Sequence, residues 1–272
     1  MESSLSPSAL SAVDPVRPPA GYIGGKRNLS RRLVALINTI PHDLYAEAFV
    51  GMGGVFFRRT RRPKAEVIND VSTDVATLFR VLQRHYQPFL DMLRWRFSSR
   101  AEFDRLLATN PDTCTDLERA ARFLYLQRTA FGGRVVGRTF GIDTNGPARF
   151  RLSQLEPMLQ DLHDRLDGVW IERLPYLDFL RRWDRPGALF YLDPPYFGCE
   201  DDYGTGVFDR ADFERLRDAL VQLRGRFVLS INDRPEIRAL FAQFTTEPVD
   251  LTYRISGKAT AASELIITSA AK

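Results

Sequence analysis

A short apolar run gives way to glycines in Leu44-Tyr45-Ala46-Glu47-Ala48-Phe49-Val50-Gly51-Met52-Gly53-Gly54. Residues 44–49 predict a buried strand, and the glycines that follow predict a loop. Val55 then begins a predicted helix, and residues 65–69 form the next predicted strand. This order of strand, glycine loop, helix and strand is typical of nucleotide-binding α/β domains.

A nicotinamide-binding Rossmann unit is one interpretation of this segment. Its Gly-x-Gly-x-x-Gly fingerprint requires a third glycine at the position where this chain has Phe56. The glycine loop alone therefore does not decide which cofactor the domain binds.

A second cluster reads Asp193-Pro194-Pro195-Tyr196 and follows the apolar run 188–192. The run predicts a buried strand that delivers a carboxylate, a stiff turn and an aromatic ring to one point. These groups suit methylation of an exocyclic amine on a base, because the lone pair of such an amine is delocalised into the ring. The carboxylate of Asp193 and the carbonyl of Pro194 can each accept one N–H, while Tyr196 stacks on the base. A strand ending in a proline-rich turn with a core tyrosine is the alternative.

These motifs resemble the D12-type, Dam-like DNA adenine-N6 methyltransferases. Residues 193–196 match the catalytic Asp-Pro-Pro-Tyr of that family, and residues 20–26 are similar to its aromatic-x-Gly-Gly-Lys element. Residues 47–56 resemble its Glu-Pro-Phe-Val-Gly-x-Gly-Ser-Val-Phe cofactor loop, with Ala48 in the proline position. Residues 67–70 match the next acidic strand end. The resemblance thus extends from about residue 20 to the C-terminus.

The resemblance implies S-adenosylmethionine as cofactor and a class I methyltransferase fold, an α/β domain with a Rossmann-like seven-stranded sheet. Lys26, expected at the N-terminus of a helix, suits the methionine carboxylate, and Asp70 suits the ribose hydroxyls. By resemblance we expect cofactor contacts from Tyr22, Lys26, Phe49, Val50, Gly51, Asp70 and Asp193. Asp193, Pro194 and Tyr196 are the expected catalytic residues.

The chain divides into a leader, a catalytic domain and an insertion. Residues 1–19 are rich in Ser, Pro and Ala and are expected to be a mobile leader. Residues 20–84 and 166–272 carry the alternation of strands and helices, with the last two strands forming an antiparallel hairpin. Residues 85–165 are mainly helical and rich in arginine, and by resemblance they are the inserted target-recognition domain.

The insertion contains a glycine-rich stretch, residues 128–138, with the three arginines Arg128, Arg134 and Arg138 and no acidic residue. Glycines allow the backbone to approach a duplex closely, and arginines can contact phosphates or read guanine edges. We therefore expect these three arginines to bind DNA. A flexible surface hairpin with solvated arginines is the alternative.

Composition limits the class of protein without deciding it. The chain has 272 residues, 44% of them hydrophobic, and a net charge of +4, which suits a polyanionic partner. No apolar run approaches the length of a membrane span, and no signal peptide is evident. We expect a cytoplasmic, bacterial or phage-encoded monomer that acts on double-stranded DNA without a metal. The sequence leaves open whether it belongs to a restriction-modification system.

The sequence predicts an enzyme that methylates N6 of an adenine rotated out of duplex DNA at a specific short sequence. Methylation of RNA or of a protein glutamine is an alternative, since related Asn-Pro-Pro-Tyr motifs serve those acceptors. A catalytically silent DNA-binding relative is another. Asp193 and the arginine-rich insertion argue against the first alternative, and the filled motif positions argue against the second.

Overall fold

The computed structural model describes residues 10–26, 28–142, 144–255 and 258–269. Across these residues, seven strands form the central sheet, in the order β3-β2-β1-β4-β5-β7-β6. The strands are β1 Leu44–Glu47, β2 Ala65–Asn69, β3 Trp170–Glu172, β4 Ala188–Leu192, β5 Arg226–Asn232, β6 Thr245–Ile255 and β7 Lys258–Thr268. The first five strands are parallel, whereas β7 runs antiparallel to both β5 and β6. The predicted seven-stranded sheet and its final hairpin are confirmed.

Helices cover both faces of this sheet. In chain order they are α1 Ser30–Thr39, α2 Thr73–Arg84, α3 Tyr86–Leu93, α4 Arg100–Ala108, α5 Asp116–Thr129, α6 Leu152–Arg165, α7 Tyr176–Trp183, α8 Arg210–Gln222 and α9 Pro235–Leu240. Within the described ranges, no helix has the length and apolar composition that a membrane crossing requires.

The central strands β1 and β4 are buried along their whole length. Alternate side chains of a strand point to opposite faces, so each strand contributes to two cores. The core under α1 to α6 receives Tyr45, Leu189 and Tyr191. The core under α7 to α9 receives Leu44, Ala46, Phe190 and Leu192. Burial on both faces explains why these strands are continuous apolar runs in the sequence.

The segment after the glycine loop is shorter than expected. The predicted helix from Val55 is a single 3-10 turn over Phe56–Arg58, followed by extended backbone at Arg59. The chain leaves the helical path there because Arg61–Arg62 form a two-residue antiparallel ribbon with Ser11–Ala12. The prediction of a full helix was therefore wrong.

The second half of the predicted leader is held against the catalytic domain. The amide of Val13 donates to the Thr60 carbonyl over 3.0 Å, and that of Val16 donates to the Phe57 carbonyl over 2.7 Å. The Val16 side chain also packs against the core under α1 to α6. Residues 11–16 are thus bonded to the rest of the protein, in contrast to the mobile leader expected for residues 1–19, while residues 1–9 lie outside the described residues.

The helices of the insertion pack directly on the catalytic domain. Side chains of α2 and of α3 to α6 belong to one apolar core, including Leu78, Phe89, Phe103, Leu124 and Leu159. Residues 85–165 therefore have no core separate from α2 among the described residues. The domain boundaries, and the role of this region in target recognition, remain predictions.

Candidate active site

A cleft of about 1770 Å³ lies at the carboxyl ends of β1, β2 and β4. The strand order reverses between β1 and β4, and open α/β sheets bind their ligands at such a switch point. The cleft is lined by Tyr22, Lys26, Glu47, Phe49, Val50, Gly51, Asp70, Arg128, Asp193 and Pro195, among others. One cavity thus contains all seven residues expected to contact the cofactor.

Asp193 directly follows β4 and is part of a buried charged cluster. Its Oδ1 atom lies 2.9 Å from the ammonium of Lys26 and 3.5 Å from the hydroxyl of Ser230 on β5. The Lys26 ammonium also lies 3.2 Å from Oε2 of Glu264 on β7 and donates to the hydroxyl of Tyr196. One cation therefore contacts two carboxylates and the motif tyrosine.

Burial raises the pKa of Asp193 to about 6. The charge of Lys26 and its hydrogen bond oppose this shift, whereas the negative charge of Glu264 adds to it. At pH 7 the carboxyl is mainly ionised and can accept hydrogen bonds.

Asp70 follows β2 and joins it to the glycine loop. Its two oxygens accept from the amides of Gly51 and Ser72, each over 2.9 Å. Burial raises the pKa of Asp70 to about 6, against the effect of these two hydrogen bonds. Gly51 has φ of 50°, and a Cβ there would lie 2.8 Å from the ring of Tyr22. Asp70, the glycine loop and Tyr22 consequently form one wall of the cleft.

Glu47 ends β1 and lies between these two acids in the cleft lining. It is buried and accepts a hydrogen bond from the Tyr45 hydroxyl over 2.8 Å. Burial raises the pKa of Glu47 to about 8, and the nearby charge of Asp193 acts in the same direction. Burial therefore favours the protonated form of Glu47 more than that of Asp193 or Asp70.

Lys26 precedes α1 by a full turn. The helix begins at Ser30, whose amide donates to the Lys26 carbonyl over 2.6 Å. The Lys26 carbonyl therefore accepts the first i to i−4 bond at the N-terminal end of α1, and its buried ammonium meets carboxylates of the protein. Contact of Lys26 with a cofactor remains a prediction.

The proline turn of the motif is fixed to the end of β5. Pro194 and Pro195 are buried, and the amide and carbonyl of Phe197 each bond to the side chain of Asn232 over 2.9 Å. The ring of Tyr196 lies under the Lys26 ammonium, 4.2 Å from the ring centroid. The turn is thus held rigidly, with Asp193 and Pro195 in the lining of the cleft. Pro194 and Tyr196 lie beside it and are not among the lining residues.

The three arginines of residues 128–138 have different surroundings. Arg128 donates to the Pro19 carbonyl over 2.7 Å, and Arg138 donates to the Gln127 side chain over 3.1 Å. Arg134 is exposed. Arg128 and Arg138 therefore link parts of the protein, and DNA contact by all three remains a prediction.

Glu264 is a site residue that the sequence did not indicate. It stands opposite Asn232 in the antiparallel pairing of β5 and β7, which places it at the edge of the sheet where the parallel strands end. The register of β5 against β7 is what places it beside Lys26. An acid within an apolar strand run, Glu264-Leu265-Ile266-Ile267, was the available signal.

The strand order, the antiparallel final hairpin and the acid-lined cleft define a class I methyltransferase fold. A family model described as D12 class N6 adenine-specific DNA methyltransferase matches residues 22–255. The chain belongs to this family. Its predicted enzyme class, DNA adenine methylation, is confirmed, and the fold and family imply S-adenosylmethionine as the general methyl donor.

Three known proteins illustrate the relationship. The type II methyltransferase M1.LlaDCHI of Lactococcus lactis subsp. cremoris is 26% identical over 278 residues, covering 93% of this chain and 95% of the relative. The type II methyltransferase M.CviBI of Paramecium bursaria Chlorella virus NC1A is 22% identical, covering 88% and 92%. The DNA N-6-adenine-methyltransferase of Escherichia phage P1 is 27% identical, covering 78% of this chain and 30% of the relative.

Proposed function

We propose that the cleft binds S-adenosylmethionine beside Asp193 and methylates N6 of an adenine extruded from double-stranded DNA at a specific short sequence. The observation that supports this proposal is the shared cleft, which is lined by Asp70 and Gly51 on one side and Asp193 on the other. In this proposal the enzyme acts as a cytoplasmic monomer and needs no metal.

The wall of the cleft formed by Asp70, the glycine loop and Tyr22 fits the cofactor. Asp70 is fixed by two backbone amides and retains acceptor capacity for ribose hydroxyls. The backbone of residues 49–51 borders the cleft, and the ring of Tyr22 lies 5.8 Å from that of Tyr203. Lys26 adds positive charge to the same cavity. When bound, the cofactor supplies an electrophilic methyl group.

The residues of the motif fit the acceptor amine. The carboxylate of Asp193 and the carbonyl of Pro194 each accept one N–H, which directs the nitrogen lone pair at the methyl carbon. The donor, when bound, would supply the methyl carbon for the new N–C bond as its C–S bond breaks, and the nitrogen would then lose a proton to water. Because the methylated amine is strongly acidic, this step needs no general base. Asp193 orients the amine.

The extruded adenine needs a partner that offsets its unstacking. Extrusion costs a few kcal/mol, and stacking on one aromatic side chain contributes about 1–3 kcal/mol. Tyr196 is the proposed stacking residue, because it follows the two rigid prolines and is partly accessible. Phe197 is a weaker candidate, since its ring packs 5.4 Å from that of Phe213 and under the guanidinium of Arg210.

The inserted helices are the proposed target-recognition region. Within them the exposed Arg134 is free of the internal carbonyl contacts made by Arg128, and is the best placed to contact DNA. Arg128 and Arg138 are proposed to support the same surface and to contribute charge to it.

A tritiated-methyl assay tests the proposal. The purified enzyme is offered duplex DNA, structured RNA and a glutamine-containing protein in parallel, with S-adenosylmethionine as donor. Label in N6-methyladenine of duplex DNA is expected. Label in RNA or protein would favour the alternative acceptors, and cofactor binding without any label would indicate a silent relative.

A further inference from the structure

Glu264 on β7 and Asp193, which follows β4, both contact the ammonium of Lys26. The side chains of Lys26 and Glu264 are each 1% exposed, and Oε2 of Glu264 lies 3.2 Å from the ammonium. Oδ1 of Asp193 lies 2.9 Å from the same nitrogen, and the Asp193 side chain is 20% exposed. The buried acid and the acid at the cleft therefore share one cation.

This sharing affects the carboxylate that faces the cleft. A buried lysine paired with Asp193 alone would bind that carboxylate more strongly and weaken it as an acceptor for other donors, because charge-assisted hydrogen bonds are strong in a low-dielectric site. With Glu264 on the other side, the ammonium divides its donors between two acids. Asp193 then keeps acceptor strength for a further N–H.

We propose that Glu264 is a positioning residue for methyl transfer: by holding the Lys26 ammonium from behind, it keeps Asp193 a strong hydrogen-bond acceptor for the amino group of adenine. The inference rests on the proposed role of Asp193. Glu264 is not among the residues that line the cleft, and the Lys26 ammonium lies between it and Asp193, so its proposed role is indirect.

The pH dependence of Asp193 gives this proposal a separate readout. The charged and titratable groups around it come from several elements: Lys26, Glu47, Tyr191, Tyr196, Tyr203 and Glu264. Of these, Glu264 raises the pKa of Asp193 and Lys26 lowers it. Removing the charge of Glu264 should therefore lower the pKa of Asp193.

Glu264→Gln is the principal test, with methyl transfer to duplex DNA as the assay. We expect kcat to fall about tenfold, the effect of weakening one hydrogen bond to a charged group. KM for DNA and binding of S-adenosylhomocysteine should stay unchanged, and the acid limb of kcat/KM should move to lower pH. A purely structural role would reduce thermal stability without moving that limb.

Glu247→Gln is the matched control. Glu247 lies on β6, is half-exposed and pairs with Arg32, so its loss should leave both kcat and the pH profile unchanged. Glu264→Asp keeps the charge and is expected to retain the wild-type acid limb.

A double variant tests whether Glu264 acts through Lys26. The kcat values are compared at the alkaline plateau of the pH–activity profile, where Asp193 is ionised. Lys26→Gln/Glu264→Gln should be no more than about twofold slower than Lys26→Gln, because linked residues give non-additive losses. This variant removes both buried charges together, so the comparison remains decisive if Glu264→Gln alone does not fold.

The outcomes separate the inference from the function on which it rests. Additive losses, or an active Glu264→Gln with unchanged kcat and acid limb, would overturn the inference while methylation by the wild type continued. Failure of the wild type to methylate adenine, or full activity of Asp193→Asn, would instead overturn the proposed function.

Discussion

The amide of Gly51 donates to the carboxylate of Asp70 over 2.9 Å, which ties the glycine loop after β1 to the end of β2. The second oxygen of Asp70 accepts from Ser72, at the start of α2. A single carboxylate thus organises three segments around the cleft. Its loss should disturb both the loop and any ligand bound beside it.

Asp70→Asn should weaken binding of S-adenosylhomocysteine about tenfold. An asparagine keeps one acceptor oxygen and replaces the other with a donor, so one of the two backbone bonds is lost and the ribose loses an acceptor. Isothermal titration calorimetry measures the effect. Asp43→Asn, at the amino end of β1, is the control and should bind normally. Equal affinities for the two variants would exclude Asp70 from the cofactor site.

Asp193→Asn should reduce kcat by about 10² to 10³, the range seen when one preorganised hydrogen-bonding group is removed from a reacting centre. The one oxygen that asparagine keeps would accept from the Lys26 ammonium, which leaves the NH₂ group where the adenine amine needs an acceptor. DNA affinity should change little, because Asp193 lies within the cleft. Single-turnover methylation and gel-shift titration measure the two quantities. Undiminished transfer would rule out the assigned role.

Tyr196→Ala should diminish the extrusion of the target base. The variant loses the stacking ring, which is worth about 1–3 kcal/mol. The fluorescence rise of 2-aminopurine at the target position reports the extruded state. Tyr196→Phe keeps the ring and loses only the hydroxyl that accepts from Lys26, so it should retain most of the signal. If both variants respond like the wild type, another residue stacks on the base.

Arg134→Ala should weaken DNA binding or relax site choice. For a phosphate contact, the slope of log affinity against log salt should fall by about one. The control is Arg226→Ala, an exposed arginine at the amino end of β5. Arg128→Ala should also lower the melting temperature, because Arg128 bonds to the Pro19 carbonyl. If Arg134→Ala keeps the salt dependence and the sequence specificity of the wild type, Arg134 does not contact DNA.

The acid limb of kcat/KM should lie near pH 6. Burial raises the pKa values of Asp193 and Asp70 to about 6, so activity should rise with pH as these carboxyls lose their protons. Because two carboxyls titrate together, the activity should fall more steeply with decreasing pH than it would for one group. In Asp70→Asn the slope should correspond to the uptake of one proton. For stability the sign is opposite: a raised carboxyl pKa favours the folded state below pH 4, and this contribution is lost as pH rises through 6. An acid limb near pH 4 would contradict the assignment.

The central strands β1, β2, β4 and β5 could be predicted because they are largely buried and read as apolar runs. The same runs located Asp70 and Asp193, since each acid directly follows its strand. The helix after Val55 could not be predicted correctly, because the ribbon between Arg61–Arg62 and Ser11–Ala12 joins segments distant in sequence.

The charged cluster depends on contacts that local sequence does not encode. Glu264 reaches Lys26 because the register of β5 and β7 sets it opposite Asn232. Arg128 and Arg138 look like surface cations in a glycine-rich segment, yet their partners are a carbonyl before Ala20 and a glutamine on α5. The chemistry of the motifs was therefore predictable, and the partners that adjust it were not.

The common apolar core of α2 and the inserted helices limits how this enzyme could be given a new specificity. Grafting residues 85–165 from a relative would set foreign side chains against Leu78 and Phe79 of α2, and the mismatch would destabilise the catalytic half as well. A chimera would have to transplant the facing surface of α2 together with the insertion. In this chain, the proposed target-recognition region and the scaffold that holds the active site therefore depend on the same core for their stability.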